Sequence, residues 1–448
     1  MEEQPRHKKC PLTATGAQER LVSDEAGTRV VVFLTGASGF IGQHLAPALR
    51  SAGHRVIAGV HRRDAEGDAV PVDFTQDFDP ATWRPRLEGV DAIINAVGIL
   101  RERGAATFDA LHLRAPRALF AAALEMGVGR IVQISALGAD EDAASGYHTS
   151  KRRADEFLSS LPLSSVIVQP SLVYGRGGAS ARLFDTLASL PLIPLPGGGR
   201  QRIQPVHVDD LAAVIVALLD VERWRVGRLA IVGPAPTTVR EYLSTLQRAM
   251  GLPPARVLPV PPSLLDIGAR VGDRLPDAPF DRATLAMLER GSTASPLAMR
   301  TILGREPLAP WQFIHRGERA AIAARAQLNW LLPLLWLSVA VMWIATGIVS
   351  LAAYPLADSY ALLARVGISG KLAPLVLGSA AGLNLVLGVA TLVARRRSLW
   401  VIQIAVVVFY TALISWRLPE YWSHPYGPVL KNIPIVALLY MLLRFEER

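Results

Sequence analysis

The chain has 448 residues, 51% of them hydrophobic and 19% charged, with a net charge of +9 and a mean hydropathy of +0.29. That length asks for two or three domains, and that apolarity excludes a wholly soluble protein. The positive charge is not gathered into Lys/Arg clusters interleaved with aromatics, which argues against nucleic acid as a partner, and the single cysteine, Cys10, excludes an intrachain disulfide or a cysteine-based metal site.

Residues 1–28 are charged or small and carry no apolar run. They read as a disordered tail rather than a secretory signal, so the domain that follows is expected to stay in the cytosol. Next comes "RVVVFLTGASGFIGQHLAPALRSAGHRVIAGVHRR" (29–63). Val30 to Leu34 is an apolar, β-branched run that suits a buried parallel strand. Gly36, Gly39 and Gly42 follow, three apart, then a helix stopped by Gly53 and a second strand. Within a complete βαβ unit this pattern predicts a dinucleotide cradle built from Gly36, Ser38, Gly39, Phe40, Ile41 and Gly42. The glycines let the backbone turn tightly and approach a pyrophosphate, and the helix start offers it free N–H groups. After the second strand an acidic residue would take the ribose 2′-hydroxyl. Arg62 and Arg63 stand there instead, followed by Asp64. Guanidinium groups suit a 2′-phosphate, which favours NADP(H) over NAD(H); a solvated loop is the other reading of the pair.

Asp73 and Phe74 close a short strand and are placed beside the adenine. "VDAIINAVG" is a further apolar strand ending in Asn95, Ala96, Val97 and Gly98, small enough for a ligand to come close at the edge where open α/β sheets bind. A helix from Ala115 to Met126 leads to "GRIVQISALGA", whose carboxyl end carries Ser135. Tyr147 and Lys151 are four apart and share a helix face. A nearby ammonium would stabilise phenolate and lower the phenol's pKa, which is what proton transfer to or from a carbonyl or hydroxyl oxygen needs. Ser135 would hold that same oxygen.

With "TGASGFIG" (35–42), "NAVG" (95–98), "IVQISALGA" (131–139), "YHTSK" (147–151), "QPSLVYGRGG" (169–178) and "QPVHVDDLA" (204–212) in this order, residues 29–314 resemble the short-chain dehydrogenase/reductase superfamily. The likeness is to its extended and atypical members, among them sugar-nucleotide epimerases and dehydratases and an accessory subunit of respiratory complex I. The resemblance implies Ser135, Tyr147 and Lys151 as catalytic groups, with Lys151 also on the nicotinamide ribose. It implies Gly36, Gly39 and Gly42 at the pyrophosphate, and Pro170 and Ser171 beside the nicotinamide. The chain departs from the pattern at His112, where many extended members carry Asn.

From about residue 175 the chain is expected to face the substrate. Asp209 opens a helix, as a cap in preference to a catalytic group; Asp210 follows it. His207 is read as a packed histidine in preference to a ligand or base. Arg176, Arg200 and Arg202 would bind an anion or face solvent. Residues 252–314 carry no legible motif. A basic, Ala-rich approach segment (315–329) precedes uncharged runs from Trp330 to Ala357, Leu372 to Ala394 and Ser398 to Trp416, each long enough to cross a bilayer. A fourth, shorter run from Asn432 to Leu443 becomes adequate with Lys431 snorkelling. Four spans are expected. Arg316, Arg319 and Arg325, the loop arginines 395–397, and Arg444 then share the cytoplasmic side. Gly378 and Gly382 form a GxxxG pair, and Asn384 and Gln403 are expected to bond between helices. Residues 330–448 resemble the DoxX-like membrane family.

The expected architecture is therefore a Rossmann-type doubly wound parallel α/β sheet followed by an all-α bundle of four transmembrane helices. The expected protein is a multi-pass NAD(P)H-dependent oxidoreductase of the bacterial inner membrane, acting on a hydrophobic carbonyl, lipid or quinone-like substrate. The alternatives are a non-catalytic nucleotide-binding subunit that assembles or senses a membrane redox complex, and a sugar-nucleotide epimerase or dehydratase.

Overall fold

A computed structural model of the chain describes residues 29–61, 68–143, 145–219, 227–273, 282–394 and 396–446. The tail expected at 1–28, with Cys10, lies outside the described residues, as do Arg62, Arg63, Asp64 and Arg395. The chain divides at Ala323/Ala324 into two compact units.

The first unit is built on seven strands: β1 (Val31–Thr35), β2 (Arg55–Val60), β3 (Ala69–Pro71), β4 (Ala92–Asn95), β5 (Arg130–Ile134), β6 (Ser165–Pro170) and a seventh, Gly227–Ile231. Their spatial order is the seventh strand, β6, β5, β4, β1, β2, β3, and every pairing is parallel. The strands read as continuous apolar runs because helices cover both faces of the sheet. Val32, Leu34, Ile94, Val132 and Val168 point to one core with Leu45 and Leu49 of helix α1 (Phe40–Ser51). Phe33, Ile93, Ile131 and Ile167 point to the other with Trp83, Leu119 and Phe120. Strand order reverses between β1 and β4, and the carboxyl ends of the strands open a crevice there, which is where doubly wound sheets bind ligands.

From Arg319 onward, the described residues include three helical segments long and apolar enough to span a bilayer: Arg319–Ala353, Leu372–Val393 and Arg397–Arg417. The first is α-helical from Arg319 to Ile348 and ends in a π-helical turn, Val349–Ala353. The fourth expected span is a shorter apolar helix, Asn432–Phe445, of 14 residues. At 1.5 Å per residue it reaches about 21 Å against a hydrocarbon core of about 30 Å. The count of four is therefore three long helices and one short one. The expected GxxxG contact is not made: a Cβ built on Gly378 or Gly382 would meet nothing within 4 Å. Close packing occurs instead at Gly388, where a Cβ would lie 2.5 Å from Ile344 Cγ1. Gln403 does bond between helices: Trp343 Nε1 donates to its Oε1 at 2.7 Å, and its Nε2 donates to Thr391 Oγ1 at 2.9 Å. Asn384 is buried, and its Oδ1 has no hydrogen-bond partner among the described residues.

Candidate active site

The cradle follows β1. Gly36 has φ +72°, a conformation L side chains rarely adopt, and a Cβ on Gly42 would lie 2.1 Å from Gly36 O. Gly39 caps α1 with no side-chain hydrogen bond. The N–H groups of Phe40, Ile41 and Gly42 precede the first intrahelical bond, from Gln43 N to Gly39 O at 2.9 Å. An uncapped, positively polarised helix start behind a turn that tolerates no side chain at Gly36 or Gly42 fits a dinucleotide pyrophosphate. The Phe40 ring packs edge-on to His44 and lies against Gly175 and Gly178, which explains the small residues of "YGRGG".

Asn95, Ala96, Val97 and Gly98 close β4 at the same crevice. The Asn95 side chain is turned inward: its Oδ1 accepts from Thr35 Oγ1 at 2.7 Å and its Nδ2 donates to Gln133 Oε1 at 2.8 Å, all three residues being buried. This ties β1, β4 and β5 together at their carboxyl ends. Asp73 accepts from both Thr75 N and Thr75 Oγ1, forming the turn after β3. Phe74 corrects the expectation. Its ring is in the core, edge-on to Trp83 at 5.4 Å, because burial of a large aromatic outweighs exposure at the cleft. The proposed 2′-phosphate arginines, Arg62 and Arg63, fall outside the described residues.

Tyr147 and Lys151 lie on the helix Gly146–Ser160, which Ser145 caps by accepting from His148 N. Lys151 is 3% exposed, and its Nζ donates to Val97 O at 3.1 Å and Ile134 O at 3.0 Å, the ends of β4 and β5. Gly98 keeps that path open, since a Cβ there would be 3.2 Å from Lys151 Nζ. The Tyr147 ring is half-buried, edge-on to His112 at 5.5 Å and His148 at 5.1 Å, with Phe108 at 6.1 Å. Burial pushes its phenol up to about 12, and the charge of Asp155 pushes the same way. The expected lowering by Lys151 is not what this site produces; desolvation dominates.

His112 sits in a π-helical turn, Asp109–Arg114, a local form often found at functional sites. Ile99 N–H donates to its Nε2 at 3.0 Å, so Nε2 carries the lone pair. Nδ1–H then donates to Ser150 Oγ at 2.9 Å, and Ser150 Oγ donates to Tyr147 O at 2.9 Å. Desolvation and the Lys151 charge hold His112 neutral, its pKa lowered to about 2.

Ser135 corrects a second expectation. It is 3% exposed and its Oγ donates to Asp155 Oδ2, so its hydroxyl is committed to the protein interior. Ser171 is similar: its Oγ donates to Gln204 O and its N–H to Ile231 O. Pro170 ends β6 in the interior, and its carbonyl accepts from Leu137 N–H at 2.9 Å. Asp155 itself was missed in the sequence, though it continues the four-residue spacing of Tyr147 and Lys151. Asp209 is the second residue of its helix and pairs with His207 at 3.4 Å and His44 at 3.6 Å. His207 is a packed histidine, its ring tilted against those of Phe313 and Tyr174. Asp210 is wholly buried on Arg305 and Leu308 N. Arg176, Arg200 and Arg202 are exposed.

The family model described as the NAD dependent epimerase/dehydratase family matches residues 32–232. A protein named ceramide reductase, from Caulobacter vibrioides, is 30% identical over 251 residues, covering 54% of this chain and 78% of that one. The chain belongs to the NAD-dependent epimerase/dehydratase family. A second model, the DoxX-like family, matches residues 340–440, among the apolar helices. The mitochondrial NADH dehydrogenase (ubiquinone) 1 alpha subcomplex subunit 9 of Arabidopsis thaliana is 28% identical over 226 residues, 47% of this chain and 56% of that subunit. A nucleoside-diphosphate-sugar epimerase from Staphylococcus aureus superposes with a TM-score of 0.52 at 18% identity, covering 63% of this chain and 99% of that one. That likeness bears on the fold alone. The epimerase/dehydratase domain thus carries the nucleotide cleft, and a DoxX-like, membrane-type helical part follows it.

Proposed function

We propose that this epimerase/dehydratase-family chain is a membrane-anchored reductase of a hydrophobic carbonyl compound, with its nucleotide domain in the cytoplasm of a bacterium and its helices in the inner membrane. The observation that carries the reading is the Tyr147–Lys151 pair on one helix face, with Lys151 held by the carbonyls that end β4 and β5. The cradle from Gly36 to Gly42, with Val97 and Gly98, would hold the dinucleotide, which when bound supplies a hydride. Tyr147, kept protonated by burial, gives its phenolic proton to the substrate oxygen as the carbonyl becomes an alcohol. The Lys151 ammonium stabilises the phenolate left behind. His112, neutral and bonded to Ile99 N–H and Ser150, holds the helix start that carries Tyr147. Tyr147 and Lys151 are thus the proposed proton-transfer pair, and Ser135 supports them without touching the substrate oxygen. Ser135 works from beneath through Asp155, and Pro170 and Ser171 border the nicotinamide side of the cleft.

The membrane part supports a substrate already dissolved in the bilayer, and the name of the 30%-identical relative supports a lipid-like carbonyl. Arg62 and Arg63 favour NADPH over NADH. They weigh against a sugar-nucleotide epimerase, which would retain NAD tightly. A second reading, a nucleotide-binding subunit of a membrane redox complex, is favoured by the Ser135 hydroxyl being spent on Asp155 and by the 28% likeness to a respiratory subunit.

The deciding experiment is oxidation of NADPH and NADH by detergent-purified protein against apolar ketones, keto-lipids and quinones, beside Tyr147→Phe. Turnover lost in the variant supports the reductase. Tight nucleotide binding with no turnover across the panel in either protein favours the subunit reading.

A further inference from the structure

The helix Gly146–Ser160 carries a third group at the same interval. Asp155 follows Lys151 by four residues, as Lys151 follows Tyr147, and it is wholly buried. Its Oδ2 accepts from Ser135 Oγ, and its Oδ1 has no hydrogen-bond partner among the described residues. Lys151 Nζ bonds the carbonyl of Ile134, the neighbour of Ser135. Two side chains one turn apart thus grip consecutive residues at the end of β5, one cationic and one acidic, both out of water.

Neither charge is comfortable there alone. Burial raises the Asp155 pKa, opposed by the Ser135 hydroxyl, by Lys151 on its own helix and by Arg228 on the seventh strand, while Glu156 adds to the rise. Burial lowers the Lys151 pKa, and Asp155 is the group that holds it up. His112 beside Lys151 and the protonated Tyr147 one turn away are both neutral and give no counter-charge. The paired carbonyls of Val97 and Ile134 orient the ammonium but carry no net charge.

We propose that Asp155 is a positioning residue for the proton-donating pair: it anchors the end of β5 through Ser135 and supplies the buried counter-charge that keeps Lys151 an ammonium one turn from Tyr147. Its consequence for turnover rests on the reductase reading, whereas its effect on Lys151 belongs to the fold itself.

The sequence makes the test direct, because it holds five lysines and Lys151 is the one between Lys9 and Lys371. In full-length, detergent-purified protein labelled with 13C-lysine, the Lys151 ε-carbon is assigned by its loss in Lys151→Arg and titrated by NMR. Asp155→Asn preserves an acceptor for Ser135 and removes the charge. The expected result is a Lys151 midpoint lowered by about one pH unit or more, as for any buried ammonium losing its counter-ion. With a carbonyl substrate in hand, the alkaline limb of NADPH oxidation should move down by the same interval with KM little changed. An unmoved Lys151 midpoint overturns the proposal. A shifted midpoint in a protein that reduces nothing sustains it and removes the reductase reading instead. Should Asp155→Asn not fold, Ser135→Ala decides: losing the hydroxyl that favours the charged carboxylate must also lower the Lys151 midpoint, and no shift there overturns the proposal equally.

Discussion

Tyr147 shows how burial and charge divide the work at a single residue. Its phenol is pushed up to about 12, so it stays protonated over the whole neutral range. Tyr147→Phe should therefore lower turnover by about a hundredfold to ten-thousandfold, the usual worth of a positioned acid, and leave nucleotide affinity unchanged. Equal turnover in both proteins would remove Tyr147 from the chemistry. His112 makes a stability prediction of definite sign. Its pKa is depressed from 6.5 to about 2, so the neutral form belongs to the fold. The stability it contributes is complete above pH 6.5 and drains away below it, by about 1.4 kcal/mol per pH unit. On lowering the pH from 8 to 5, Tm should fall faster in the wild type than in His112→Asn; parallel curves would show that His112 is not the buried neutral group described. The Tyr147/Lys151 pair was legible because its interval is helical and it follows a strand end. Asp155 was not, because in "KRRADEF" it reads as one more solvated charge, and only packing shows it at 0% exposure.

Among the elements, α1 was the most readable, since strand, glycine turn and helix impose one another locally. Gly42→Ala puts a Cβ 2.1 Å from Gly36 O, so the turn must open. Dinucleotide affinity, read by fluorescence titration, should fall by at least about tenfold through loss of the close backbone approach. Unchanged affinity would place the nucleotide elsewhere. The apolar helices were readable as elements but not in their contacts. Gly378 and Gly382 have the small-residue spacing, yet a Cβ on either would meet no described atom within 4 Å, while Gly347 and Gly388 make the close approaches. Gln403 is a buried polar link among them, and Gln403→Leu should cost about 1 kcal/mol in denaturant unfolding of the detergent-solubilised protein, within the range of such bonds between membrane helices. No loss would mean Trp343 and Thr391 find other partners.

At the scale of the whole molecule, the parity of the crossings decides which side each end occupies. Three long helices and one short one leave the C-terminus on the side of the nucleotide domain only if Asn432–Phe445 crosses. The positive-inside rule, applied to the arginines at 316, 319, 325, 396, 397 and 444, predicts those segments together on the cytoplasmic side, which requires that crossing. A periplasm-dependent reporter enzyme fused after the last residue should therefore stay silent, and a strong signal would mean three crossings. The sequence by itself determined the order of parts, an α/β nucleotide domain and then apolar helices, because hydrophobic period and run length are local properties. It also determined the glycine turn and the helix that carries Tyr147 and Lys151, whose residues lie within one or two turns of each other. Only the tertiary structure decided what those residues face. Ser135 turns to Asp155, 20 positions away; Asn95 turns to Thr35 and Gln133 across three strands; Phe74 turns to the core rather than to a ligand. Each of these depends on which distant chain fills the space beside a side chain, and in a close-packed interior that space is set by the whole fold.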